Sequence, residues 1–183
     1  MKVFLNPGHA PGGVPDPGAV NAALGLREAD VVAAVGAAAA AYLRAAGCEV
    51  MVCQDDSLAQ VTRQANAAAA DLFVSIHCNS AGDQAARGTE VWYCDASAAG
   101  RELANCIQNQ LVAALGLTDR GCKAAVPGVN GLYVLTRTAM PAVLAELAFL
   151  SNPEEAILLA SAEKQKECAA ALARGVTDYA ARL

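Results

Sequence analysis

Two histidines occur in this chain of 183 residues, His9 and His77, and both follow short apolar runs. His9 comes after Val3-Phe4-Leu5 and the turn-forming Asn6-Pro7-Gly8, and His77 closes Leu72 to Ile76. Apolar runs of this length, bounded by turn residues, read as buried strands. Ligand sites in open α/β sheets form outside the carboxyl ends of the strands, so neighbouring strands would carry both imidazoles to one rim. Two imidazoles and a carboxylate suffice to hold a catalytic zinc ion, whose remaining position is left to water. Three acids compete for the third place. Glu28 is favoured because it begins the helix that follows the first loop, while Asp16 lies within that loop and Asp30 near the helix start. A lone histidine is more often a hydrogen-bonded structural residue, and it is the matched position of the two that favours metal ligation.

Glu146 is the second anomaly, an acid inside the apolar run Pro141 to Leu150. Burying an unpaired carboxylate costs several kcal/mol, so its presence there needs a reason. Beside an activated water it would act as general base and then as the acid that protonates a leaving amine. The structural alternative is an ion pair with Arg63 or Arg137. A Cys78/His77 nucleophilic pair is disfavoured, because adjacent strand residues point to opposite faces. The loop from Gly8 to Gly13 lacks the lysine of a phosphate-binding loop and the spacing of dinucleotide-binding glycines.

The elements that must position these residues alternate between short apolar runs and Ala-rich helical segments, the order of an α/β fold. Strands are expected at Lys2 to Asn6, Glu49 to Cys53, Leu72 to His77, Thr89 to Cys94 and Ala142 to Leu147, with a weaker one at Gly131 to Leu135. Helices are expected from Glu28 to Ala46, stopped by Gly47; from Ser57 to Ala70, with Ser57 as N-cap; and from Ala98 to Leu115, ended by Gly116. Asn152, with Pro153, Glu154 and Glu155 behind it, has the signature of a helix start, and a last helix begins near Ser161. The stretches Asn6 to Gly18 and Thr118 to Asn130 read as loops. The expected architecture is a single domain over residues 1–183: a mixed, mostly parallel sheet of about six strands with helices on both faces.

Composition sets the outer bounds. A net charge of −5, with the 13 Lys and Arg scattered along the chain, argues against nucleic-acid binding. No apolar run approaches the roughly 20 residues of a membrane span. The 7 cysteines are odd in number, and none has the two-residue spacing of a zinc knuckle or redox pair, so they read as mostly reduced, buried thiols. The amino-terminal segment lacks the apolar core of a secretory signal, which leaves the export route open. A monomer is expected.

The motifs together resemble one family. Asn6 to His9 with Asp16 to Ala19, Gly25 to Glu28, Arg63 to Asn66, Ala70 to Ser80, Arg120-Gly121, Leu132 to Leu135, Met140 to Leu144 and Glu146 to Asn152 are similar, in order, to the zinc-dependent N-acetylmuramoyl-L-alanine amidases of the Amidase_3 type. The resemblance spans nearly the whole chain, and the segment ending in His77 is its most specific part. It implies zinc held by His9, Glu28 and His77 with Glu146 as acid/base, and so selects Glu28 over Asp16 and Asp30. It also implies the reaction, hydrolysis of the amide between the lactyl group of N-acetylmuramic acid and L-alanine, with peptidoglycan or its fragments as substrate and the cell wall as site of action. Two departures stand out: a longer loop between His9 and Asp16, and Leu147-Ala148 in place of the family's common Thr-Gly. The alternatives are a zinc peptidase with the same ligands, since fold and metal do not fix a substrate, and a peptidoglycan-binding module that has lost catalysis.

Overall fold

The computed structural model describes residues 1–130 and 132–183. The chain begins with strand β1 (Lys2–Pro7), a 3-10 turn (Pro11–Gly13), the two-residue strands β2 (Val20–Asn21) and β3 (Leu26–Arg27), and helix α1 (Glu28–Ala45). Strand β4 (Glu49–Val52), helix α2 (Leu58–Ala67), strands β5 (Leu72–Asn79) and β6 (Thr89–Cys94) and helix α3 (Ala98–Leu115) follow. Strand β7 (Asp119–Ala125), the short helix α4 (Tyr133–Arg137), strand β8 (Ala142–Phe149) and helices α5 (Pro153–Ala160) and α6 (Ala162–Ala180) complete it.

Six strands form one sheet in the order β4-β1-β5-β8-β6-β7. β4, β1, β5 and β8 run parallel to one another, β6 is antiparallel to β8, and β7 is parallel to β6. The carboxyl ends of β1, β5 and β8 therefore share a rim with the amino ends of β6 and β7. This is the mixed, mostly parallel sheet expected from the sequence.

The two faces follow from strand alternation, since successive side chains point to opposite sides. Val3 and Leu5 of β1, Leu72, Val74 and Ile76 of β5, and Val143, Ala145 and Leu147 of β8 face one cluster with α1, α3, α5 and α6. α6 packs against both α1 and α3. Phe4, Phe73, Ala142 and Leu144 face a smaller cluster with Val61 and Ala65 of α2 and Val134 and Leu135 of α4. The parallel strands are covered on both sides, which is why they read as unbroken apolar runs. By the same alternation His77 and Glu146 leave the sheet on the smaller cluster's face, beyond the end of its packing.

Helix ends match their expected signals. Ser57, Ser97, Asn152 and Ser161 each accept a backbone N–H from the first turn of the helix they precede, and Gly116 ends α3 in the left-handed region at φ 64°. Three expectations need correction. The strand expected over Gly131 to Leu135 begins at Gly131, which lies outside the described residues, and from Tyr133 the chain is helical: Tyr133–Arg137 form α4, which buries Val134 and Leu135 over the sheet. The sixth strand is β7, inside the stretch expected to be irregular, and it pairs with β6 at the sheet edge. The cysteines are all free, but only Cys78, Cys106 and Cys168 are buried; Cys48, Cys53, Cys94 and Cys122 are half-buried.

Candidate active site at the carboxyl rim

The chain leaves β1 through Gly8 and reaches His9, whose φ of 65° places a non-glycine residue in the left-handed region. Such backbone costs about 1 kcal/mol or more and persists where the surroundings over-determine it. Here the loop is tied down on both sides: the Ala10 N–H donates to the Asp16 carbonyl, the Glu28 N–H to the Ala19 carbonyl and the Ala29 N–H to the Pro17 carbonyl. The small β2–β3 ribbon returns the chain to the start of α1, so that Glu28, the first helical residue, faces the rim.

His9, Glu28 and His77 meet there, with one candidate ligand atom from each lying within 4.8 Å of the others. His9 Nε2 and His77 Nδ1 are each 3.0 Å from Glu28 Oε1. The Cys78 N–H donates to the same oxygen at 2.9 Å, and the Ala19 N–H donates to Glu28 Oε2 at 2.8 Å. The two imidazole rings stand nearly edge to face, 5.0 Å apart at 75°. Two glycines make room for them. A Cβ on Gly8 would collide with the His77 ring, and one on Gly18, whose φ is 67°, would lie 2.5 Å from His9 Cδ2 and 2.6 Å from Glu28 Oε2.

The electrostatics of the cluster follow from this crowding. Burial opposes ionisation of both Glu28 and His9, but their mutual hydrogen bonds prevail: His77 and His9 hold the Glu28 carboxyl well below the usual carboxylate range, and Glu28 and Asp16 raise His9 to about 9. A buried carboxylate facing two imidazoles is a donor set of the type that zinc takes. A divalent cation would replace the protons that now hold the three groups together.

The two competing acids lie elsewhere. Asp16 Oδ2 is 2.7 Å from His9 Nδ1, while its other oxygen accepts the Gly18 N–H at 2.9 Å. It thus fixes the ring so that Nε2 points at Glu28, the carboxylate–histidine arrangement that orients ligating imidazoles in metal sites. Sequence reasoning weighed Asp16 only as a ligand. Asp30 pairs with Arg27 at the surface, 2.7 Å from Nε.

Glu146 is opposite His77 in the β5–β8 register. The residue is half-buried, and its Oε2 is enclosed with no hydrogen-bond partner among the described residues, Arg63 and Arg137 included. Burial pushes its carboxyl up to about 7, a rise that His77 opposes and that Glu28 and Glu90 reinforce. Cys78 points into the core on the opposite face from His77, as strand alternation requires, and burial raises its thiol well above the ordinary range, so no Cys/His pair forms.

Beyond the triad on one side is a cleft of about 280 Å³ between β1, the start of α2 and α4, lined by Asp16, Asp55, Asp56, Leu58 and Tyr133 among others. On the other side lies a group that sequence reasoning did not single out. Glu90, only 3% exposed, is the register partner of Glu146 across the antiparallel pair and is ion-paired to Arg120 and Lys123. The available signal was the same as for Glu146, an acid in an apolar strand.

A doubly covered α/β sheet with two imidazoles and a buried carboxylate converging on its rim, and a half-buried second acid alongside, defines the class: an α/β hydrolytic domain with a candidate three-ligand metal centre. Comparison with known proteins narrows the class. The profile of the N-acetylmuramoyl-L-alanine amidase family (Amidase_3) matches residues 3–178, and the chain belongs to that family. It is 38% identical to YqiI of Bacillus subtilis over 183 residues, covering 97% of this chain and 84% of that one. It is 33% identical to the N-acetylmuramoyl-L-alanine amidase LytC of the same organism, again over 97% of this chain but only 35% of LytC's length. Among solved structures, the amidase AmiC2 of Nostoc punctiforme superposes with a TM-score of 0.89 at 32% identity, covering 100% of this chain and 98% of that one.

Proposed function

We propose that this domain is a zinc-dependent N-acetylmuramoyl-L-alanine amidase, which hydrolyses the amide between the lactyl group of N-acetylmuramic acid and L-alanine and releases stem peptides from peptidoglycan. The observation that carries the reading is the convergence of His9, Glu28 and His77 within 4.8 Å, next to half-buried Glu146, whose Oε2 is enclosed and has no hydrogen-bond partner among the described residues. Family membership supplies the bond and the substrate, and cell-wall action follows from them.

In this reading His9 Nε2, His77 Nδ1 and a Glu28 oxygen hold the metal, and Asp16 keeps His9 in the tautomer that presents Nε2. Zinc bound there would supply Lewis acidity, acidifying a water and polarising the scissile carbonyl. Glu146 takes the proton of the attacking water on its carboxylate and delivers it to the departing L-alanine amine, a relay suited to a carboxyl titrating near neutrality.

Digestion of purified peptidoglycan followed by mass spectrometry tests the reading. Release of peptides beginning with L-alanine, abolished by a chelator and restored by zinc, is expected. Cleavage between amino acids with the lactyl amide intact would point to a peptidase, and binding without any cleavage would point to a recognition module.

A further inference from the structure

The rim carries opposite charge on its two sides. The cleft beside β1 is lined by Asp16, Asp55 and Asp56, whereas Arg120 and Lys123 stand at the start of β7, beyond Glu146. Both cations are anchored. Arg120 Nε donates to Glu90 Oε2 at 2.5 Å and Lys123 Nζ donates to the same atom at 2.6 Å, while Glu90 Oε1 accepts from Trp92 Nε1 at 3.0 Å and Asn79 Nδ2 at 3.1 Å. The Arg120 guanidinium also lies over the Phe149 ring, 4.9 Å from its centroid, and the Lys123 ammonium over the Trp92 ring at 5.5 Å.

A buried carboxylate with four donors holds its partners in one geometry, so the two long side chains have already lost much of the freedom that binding would otherwise remove. Two cations share the Glu90 carboxylate, so this cluster carries one positive charge in excess, against which Glu146, its neighbour across the strand pair, is the nearest acid. Each cation is still about a third exposed, Arg120 at 33% and Lys123 at 32%, and a second Arg120 nitrogen, Nη1, donates to the Arg87 carbonyl at 3.2 Å. The chain as a whole carries −5, so this is a local exception.

We infer that Arg120 and Lys123, held on Glu90, form a subsite for a carboxylate of the substrate's peptide, and that the stem peptide runs from the scissile amide across β8 and β6 toward β7. The inference rests on the amidase reading for its substrate. Adjacent strands are about 4.8 Å apart, which places β6 and β7 about 5 and 10 Å to the side of β8. A peptide advances about 3.4 Å per residue, so an acidic residue one or two positions beyond L-alanine reaches the two cations. The acidic cleft on the other side would repel the same group and is left to the uncharged sugar portion.

The test compares kcat/KM for two soluble substrates, an N-acetylmuramoyl-L-alanyl-D-glutamyl peptide and its D-isoglutamine counterpart, in which a carboxamide replaces the carboxylate. The zinc-loaded wild type is expected to favour the carboxylate form about tenfold, mainly through KM, with the preference shrinking as salt rises. In Lys123→Gln the ratio should fall to about one; Lys123→Arg, which keeps the charge, should restore it; Lys123→Glu should invert it. Lys164→Gln, on α6 and paired there with Glu167, should leave the ratio unchanged. Equal use of the two substrates by the wild type, or an undiminished preference in Lys123→Gln, would overturn the subsite. If the wild type cuts neither lactyl amide, the amidase reading fails, and calorimetric binding of the free L-alanyl-D-glutamyl peptide still decides the subsite. About tenfold weaker binding to Lys123→Gln upholds it, and equal binding overturns it.

Discussion

His77 and Glu146 are register partners on adjacent parallel strands, so an imidazole and a half-buried carboxylate leave the sheet on one face, side by side. Their spacing is set by the ladder of backbone hydrogen bonds between β5 and β8, and loop conformation has no part in it. In the proposed mechanism, a metal ligand and a proton carrier built this way need no rearrangement to act on the same carbonyl carbon.

Separating the two roles gives the first expectation. Glu146→Gln removes the proton carrier but none of the three ligands, so hydrolysis should fall by about 10²–10⁴-fold while bound zinc stays at one equivalent. Turnover with a soluble muropeptide, measured alongside metal content by atomic emission, checks both halves. Loss of the metal in this variant would move Glu146 into the ligand set.

The pH dependence follows from the same carboxyl. Glu146 must be ionised to take a proton, and burial raises it to about 7. A cation held by the neighbouring ligands favours the charged form and lowers that value, so kcat/KM should fall as pH drops through a limb at or below about 7. Glu146→Gln should lack that limb in its residual activity. A limb that stays in the variant would assign it to another group.

For the metal-free protein the linkage runs in two directions. His9 is raised to about 9 from 6.5, so its contribution to stability is complete below pH 6.5 and is lost as pH rises through 9. Glu28 is lowered from 4.5, so its contribution is present above 4.5 and is lost as pH falls through its depressed value. Thermal melts in chelator should therefore be highest between these ranges and decline toward pH 10. Zinc loading should release a proton from His9 and gain affinity as pH rises toward 9, which calorimetry in buffers of different ionisation enthalpy can read.

Asp16 acts through His9. Asp16→Asn keeps a hydrogen-bond acceptor but removes the charge that steadies the ring, and zinc affinity should drop by about 10–100-fold with little change in the metal-saturated kcat. Competition with a chromogenic chelator measures this. Unchanged affinity would make Asp16 a loop-fixing residue only.

Much of the arrangement could be read from residue types. His9 and His77 each end an apolar run, and Glu146 is a charge where the core should be; these are anomalies against a strong pattern, and each proved to lie on the rim. What escaped had weak local signal. β7 carries Asp119, Arg120, Gly121 and Lys123, and only its pairing with β6 at the sheet edge makes it a strand. Leu132 to Leu135 is an apolar run too short for periodicity to separate strand from helix, and burial against Phe73 and Leu144 decides for α4. The Asp16–His9 pairing spans a loop whose path no spacing rule predicts, and Glu90's partners come from β7, the strand that was missed.

The central claim is that this rim hydrolyses the lactyl amide with a metal on His9, Glu28 and His77. Hydrolysis of a defined N-acetylmuramoyl-L-alanyl peptide in ¹⁸O-labelled water, with the protein stripped of metal and then reloaded with zinc, tests it most directly. The account predicts no turnover when stripped, recovery on reloading, and the label in the lactyl carboxylate of the sugar product. Turnover that survives stripping, or label found only in peptide carboxylates, would contradict it.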